Sequence, residues 1–113
     1  LNDENIAKAN RFVFRRLEIY FEYYILQNCS KMGPMTYYEN LIVWKKSMEL
    51  VGEVYRVTKL YPREELYALT AQSRRAAVSI PANIAEGCGR NYKKDSIQFF
   101  HVARGSMYEL ETL

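Results

Sequence analysis

Hydrophobic residues recur at helical spacing in four stretches of the chain. The first stretch, residues 3–27, has an apolar stripe formed by Ile6, Val13, Leu17, Tyr20 and Tyr24. Steps of three, four and seven residues place side chains on one face of an α-helix. The stretch therefore predicts an amphipathic helix.

Three more helices are predicted over residues 38–59, 63–86 and 92–113, with a linker over residues 28–37 that contains Gly33-Pro34. In the second helix, apolar residues at alternating steps of three and four predict the buried stripe Leu41, Trp44, Met48, Val51 and Tyr55. The glycines of Gly87-Cys88-Gly89 are expected to end the third helix. The predicted core comprises Trp44, Met48, Leu69, Ala76, Ile80, Phe100 and Met107.

Four long helices joined by short loops predict an all-α fold, an antiparallel up-down four-helix bundle. A chain of 113 residues is enough for one core, so residues 1–113 are predicted to form a single domain. Its hydrophobic fraction of 49% and charged fraction of 26% exclude disorder as a description of the whole chain. No apolar run approaches the roughly 20 residues of a membrane span, and no signal-peptide pattern is present, so a cytoplasmic protein without membrane contact is predicted.

The sequence offers little for catalysis or metal binding. His101 is the one histidine, and a partly buried, hydrogen-bonded role is expected for it. The two cysteines lie 59 positions apart without a CxxC pair, which excludes zinc spacing and a redox motif. We therefore predict no catalytic residue, no metal, no cofactor and no enzyme activity.

Positive charge is concentrated between Gln72 and Arg104, where six cations face two acids, in a chain whose formal net charge is +3. Such a block indicates a surface for a polyanion, although a solvated helix face explains it as well. The predicted nucleic-acid-binding residues are Arg74, Arg75, Arg90, Lys93, Lys94 and Arg104.

An adjacent arginine pair and one tyrosine stand out within this block. Arg74 and Arg75 are neighbours on a helix and diverge by about 100°, so one is expected to be more buried and ion-paired. Its candidate partners are Glu86, Glu109 and Glu111, and the other arginine can serve a ligand. Tyr92 is the best candidate for base stacking, because most other aromatic residues lie on apolar stripes.

Aromatic residues also exceed what one four-helix core can absorb. Phe21, Tyr23 and Tyr67 are expected on the surface, which predicts self-association. A basic, self-associating bundle is compatible with two kinds of function. One is a weakly sequence-selective nucleic-acid-binding assembly, and the other is a protein–protein scaffold that does not contact nucleic acid.

Three stretches, 39–48, 72–87 and 103–112, resemble the four-helix bundle proteins encoded in 23S rRNA intervening sequences. The accessory variability proteins of diversity-generating retroelements are similar. The resemblance implies a bacterial, S23 ribosomal protein-like chain that forms a homopentamer and has no cofactor. It further implies nucleic acid as a partner, with rRNA among the candidates, and a reverse transcriptase as the partner in the retroelement case. The alternative function is then an accessory subunit of such an enzyme.

The order of the helices departs from this family. The resemblance implies that the motif at 39–48 opens the bundle and that a further helix follows the motif at 103–112. Here an unmatched helix, residues 3–27, comes first. A circular permutation, in which residues 3–27 supply the fourth helix, is one hypothesis, and a native N-terminal extension is its rival.

Overall fold

A computed structural model describes residues 38–113 of the chain, together with Arg15 and Ile19. Arg15 and Ile19 are helical and exposed. The rest of the predicted first helix, residues 3–27, and the predicted linker, residues 28–37, lie outside the described residues.

Three α-helices make up the part between Tyr38 and Leu113: α1, Ile42–Thr58; α2, Ala71–Cys88; and α3, Lys93–Thr112. The all-α class is confirmed, since residues 38–113 contain helices and no strand. A four-helix bundle is not confirmed, because the described residues supply three α-helices.

Short turns of other helical types precede α1 and α2. A 3₁₀ turn, Tyr38–Asn40, leads into α1, and the predicted start of the third helix divides into a 3₁₀ turn, Arg63–Glu65, and a π-helical turn, Leu66–Thr70. Where the 3₁₀ turn meets the π-helical turn, the Glu65 carboxylate accepts a hydrogen bond of 3.4 Å from the amide of Leu69. This bond satisfies one of the amides that a helix start leaves without an intrahelical partner.

The helix α2 is central among the described helices. It packs antiparallel against both α1 and α3, whereas α1 and α3 hardly contact each other. In an up-down four-helix bundle, helices at diagonal corners are separated in this way while neighbouring corners are in contact. The contacts therefore place α2 between α1 and α3, and the described residues supply these three α-helices.

One hydrophobic core joins the three helices. Ala76, Ile80, Phe100 and Met107 are buried in it, as predicted from the sequence. Trp44 and Leu69 are only half-buried, and Met48 is 45% exposed, so the prediction was wrong for Met48. The remaining members of the core are Val43, Leu50, Val54, Ala77, Ile84, Ala103 and Leu110.

The buried face of α1 is rotated by one residue, about 100°, from the predicted stripe. Val43, Leu50 and Val54 point into the core, while Met48 and Tyr55 are exposed. Ser47 also lies on the buried face. Its hydroxyl donates a hydrogen bond of 2.7 Å to the carbonyl of Trp44. A polar residue that is satisfied within its own helix can be buried at little cost.

The Gly87-Cys88-Gly89 segment ends α2 as predicted, although the helix extends two residues beyond the predicted bound of residue 86. The helix continues to Cys88, and Gly89 follows as the C-cap with an ordinary φ of −85°. Gly87 is buried against Phe100 of α3: a Cβ at this position would lie 2.6 Å from Phe100 Cε1. The residue is glycine because α2 and α3 approach closely there, not because the chain needs a positive φ.

Candidate nucleic-acid interface

The structure does not bring the six predicted cations together. Arg90, Lys93 and Lys94 lie at the turn that joins α2 to α3. Arg74 and Arg75 lie near the start of α2, about 22 Å away along the helix axis. Arg104 is in the middle of α3. The predicted block is therefore a cluster of three cations at one end of the molecule, with three other cations spread along the helices.

Arg74 is held within the fold by α1. Its Nε donates a hydrogen bond of 2.9 Å to Thr58 Oγ1, and its guanidinium lies over the Tyr55 ring at 4.7 Å from the centroid. The expectation that one arginine of the pair is more buried is confirmed, since Arg74 is half-buried and Arg75 is exposed. The prediction of a carboxylate partner was wrong, because Arg74 forms a hydrogen bond with the Thr58 hydroxyl and a cation–π contact with the Tyr55 ring.

Arg90 is fixed beside the α2–α3 turn by two contacts. Its Nη2 lies 2.7 Å from Glu86 Oε1, and its guanidinium lies 4.5 Å from the centroid of the Phe99 ring. Both contacts are partly exposed, so together they contribute only modest stability. They do fix the position of the positive charge, which lies next to the turn.

Lys93 and Lys94 occupy the first turn of α3 and are exposed. No salt bridge joins either lysine to an acid within residues 38–113. The helix dipole favours acids in a first turn, so two lysines there raise a local potential that is already positive. Asp95 is the one acid between Glu86 and Glu109, and it offsets only part of this charge.

Arg104 and His101 lie one helical turn apart on α3. Arg104 Nη2 is 3.4 Å from His101 Nδ1, and Arg104 is half-buried. The expectation that His101 is partly buried was wrong, because its side chain is exposed. The hydrogen-bonded role expected for it is present, with Arg104 as its neighbour.

The polar side chains between α2 and α3 serve packing. Ser79 Oγ and Ser106 Oγ are 2.8 Å apart, and Asn83 Nδ2 donates to both the carbonyl and the hydroxyl of Ser79. Within the described part of the chain, no group of histidine, cysteine and acidic side chains has the geometry of a metal site. None of the described helices is long and apolar enough to cross a membrane.

An apolar surface lies on the outer side of the α1–α2 pair, and its α1 residues belong to the stripe that was predicted to be buried. We call it the α1–α2 face, and it consists of Trp44, Met48, Val51, Tyr55 and Val78. Met48, Tyr55 and Val78 are exposed, and Trp44 and Val51 are half-buried. Val78 lies one turn beyond Arg74, on the side of α2 that meets α1. The signal for this face was in the sequence, since α1 has two adjacent apolar stripes and only one of them can point into the core.

Comparison with curated proteins gave no significant match. The family model for the 23S rRNA-intervening sequence protein matches residues 39–113, which include all three helices and every cation of the predicted site. The resemblance carried by the motifs at 39–48, 72–87 and 103–112 is thereby confirmed. The chain belongs to the 23S rRNA-intervening sequence protein family.

Proposed function

We propose that this protein is a non-enzymatic, self-associating helical protein that binds nucleic acid through phosphates. The observation that carries the proposal is the cluster formed by Arg90, Lys93 and Lys94 at the α2–α3 turn. Two of these cations have no acidic partner among the described residues. Exposed cations that no acid neutralises attract a polyanion. Arg90 is paired with Glu86, but both side chains are about half exposed, so the ion pair is weak and a phosphate can compete for the guanidinium.

Binding of this kind is weakly selective for sequence. Phosphate contacts position a protein on nucleic acid and do not distinguish bases directly. Arg74 is expected to contribute little, because Thr58 and Tyr55 already hold its guanidinium. Arg75 is exposed but lies at the other end of α2, so it is an auxiliary contact in the proposal.

The salt dependence of binding tests this function. If three cations per chain each neutralise one phosphate, the slope of log K against log salt is about −2 to −3 per subunit, and raising salt from 50 to 200 mM weakens binding roughly 20- to 40-fold. Fluorescence anisotropy with labelled oligonucleotides measures both quantities.

Substitution of the cluster supplies the matched comparison. Lys93→Glu with Lys94→Glu is expected to weaken binding at least tenfold at 50 mM salt and to make the slope shallower. Lys59→Glu with Arg63→Glu makes the same change in net charge at the opposite end of the bundle and is expected to have a much smaller effect. An unmutated protein that fails to retain nucleic acid at low salt would contradict the proposal and leave a protein–protein scaffold.

We also propose that the α1–α2 face mediates the self-association. An exposed apolar patch on a helix pair is usually covered by another protein surface. Tyr67, which was predicted to be exposed, is 91% exposed, while Phe21 and Tyr23 lie outside the described residues. A homo-oligomer, the pentamer included, would place several basic clusters on one particle and raise affinity through avidity.

We further propose that residues 3–27 supply a fourth helix that packs against both α1 and α3. Arg15 and Ile19 are helical and exposed. A helix antiparallel to α1 and α3 would begin near the end of α3 and finish near the start of α1.

Cysteine cross-linking tests this placement. In a background with Cys29→Ser and Cys88→Ser, an oxidised bond within one chain is expected between Asn2→Cys and Thr112→Cys. The matched pair, Asn2→Cys with Lys93→Cys, should not cross-link, because Lys93 lies at the far end of α3, about 30 Å away. Equal cross-linking of the two pairs, or none in either, would favour a separate N-terminal extension.

A further inference from the structure

Tyr92 is an exposed aromatic residue at the centre of the basic cluster. It lies between Arg90 and Lys93 in the α2–α3 turn, in extended conformation with φ −110° and ψ 132°. Its residue exposure is 72%, and its side chain makes no hydrogen bond or ring contact with the described residues. Tyr92 is the N-cap residue of α3 through its backbone, but its side chain makes no capping bond, so the ring contributes little to the fold and its position calls for another explanation.

A comparison with Tyr67 shows what is special about this position. Tyr67 is more exposed still, at 91%, but it lies at the opposite end of the bundle and follows Glu64 and Glu65 in the chain. Tyr92 is flanked instead by three cations. Exposure alone therefore does not distinguish the two tyrosines, whereas the charge around each ring does.

We infer that Tyr92 is a stacking platform for an unpaired nucleotide, whose adjacent phosphates are bound by Lys93, Lys94 and Arg90. This inference rests on the proposed nucleic-acid binding and adds that the preferred ligand is single-stranded. Aromatic rings stack on bases of any identity, and this stacking occurs where bases are not already paired and stacked in a duplex. The same ring can contact only the outside of a duplex, where it meets sugar and phosphate.

The contacts of Arg90 support this geometry. Its guanidinium is already held by Glu86 and the Phe99 ring, so its charge is fixed next to the turn before any ligand arrives. Lys93 and Lys94 are exposed, and the flexible four-carbon stem of a lysine lets them follow a backbone whose base rests on Tyr92. A fixed cation with two mobile cations around an exposed ring suits a flexible strand better than a rigid helix.

The test compares single-stranded and duplex probes on the full-length protein. Fluorescein-labelled 12-nucleotide oligo(dT), 12-nucleotide oligo(U) and a 12-base-pair mixed-sequence duplex are titrated by anisotropy at 50 mM salt. Since stacking contributes about 1–3 kcal/mol per base, Tyr92→Ala is expected to weaken binding of both single strands by roughly 5- to 150-fold and to leave duplex binding within twofold. Tyr92→Phe keeps the ring and should retain most of the affinity.

Tyr67→Ala is the matched control, and it should change neither affinity. Circular dichroism of each variant checks that the helices are intact, which we expect because the Tyr92 side chain forms no cap on α3. If Tyr92→Ala leaves single-strand binding unchanged, or weakens single-strand and duplex binding equally, the inference is overturned while salt-sensitive binding still supports the proposed function. If the unmutated protein binds none of the three probes, both fail.

Discussion

Gly87→Ala is expected to destabilise the protein by about 1–3 kcal/mol, even though alanine is the better helix former. The added Cβ would lie 2.6 Å and 2.9 Å from two ring carbons of Phe100, and 3.1 Å from the backbone carbonyl oxygen of Ser96. Phe100 is only 1% exposed, so its ring is enclosed by neighbouring atoms and does not border solvent. The ring and the backbone of α3 must therefore shift together, which disturbs the contact between α2 and α3.

Thermal unfolding followed by circular dichroism measures this effect, and a fall in Tm of roughly 4–15 °C is expected. Gly105→Ala is the matched control, because a Cβ on Gly105 of α3 meets no atom within 4 Å. That variant should gain about 0.5–1 kcal/mol, the ordinary difference between alanine and glycine inside a helix. Equal shifts of the same sign at both positions would show that helix propensity, not the close approach, determines the outcome.

A second substitution separates the close approach from other causes. Phe100→Leu removes the ring atoms nearest to the added Cβ, although it costs stability by itself because a large buried side chain is lost. When it is combined with Gly87→Ala, the double variant should lose less stability than the sum of the losses of the two single variants. Strict additivity would mean that the alanine destabilises the helix without pressing on Phe100.

The fold class and the helix positions were predictable from the sequence because periodicity extends over many residues. α1 and α3 begin and end within a few residues of their predicted bounds, and the errors lie at the turns Tyr38–Asn40 and Leu66–Thr70. The face of α1 was not predictable in the same way. Its two apolar stripes are adjacent, and the sequence does not reveal that Ser47 is satisfied by the carbonyl of Trp44.

The candidate site was predictable as a set of charges and not as an arrangement. Counting cations identified Arg74 and Lys93 equally, yet one is tied to Thr58 and the other is exposed without an acidic partner among residues 38–113. That difference depends on how α1 lies against α2, which is a tertiary property. Gly87 could not be interpreted from the sequence for the same reason. A glycine near a helix end is ordinarily read as a C-cap, and only the position of Phe100 on α3 shows that Gly87 permits close packing of the two helices.

Charge placed on the α1–α2 face is expected to dissociate the proposed assembly. Met48→Glu with Val78→Glu would put two carboxylates into a contact that buries apolar side chains on both partners. An unpaired charge in such a contact costs about 3 kcal/mol or more, which corresponds to weakening of association on the order of 100-fold. Both positions are exposed in the single chain, so the helices themselves should remain folded.

Sedimentation velocity at micromolar concentration measures the result, and Val102→Glu is the matched control. Val102 is 48% exposed on α3, similar to Met48 and Val78, but it lies outside the α1–α2 face. The control should remain assembled while the double variant sediments as a smaller species. Because avidity would raise nucleic-acid affinity in the assembly, the double variant should also bind oligonucleotides more weakly although its basic cluster is untouched. A protein that is monomeric before substitution, or an assembly that Val102→Glu disrupts equally, would show that this face does not mediate self-association.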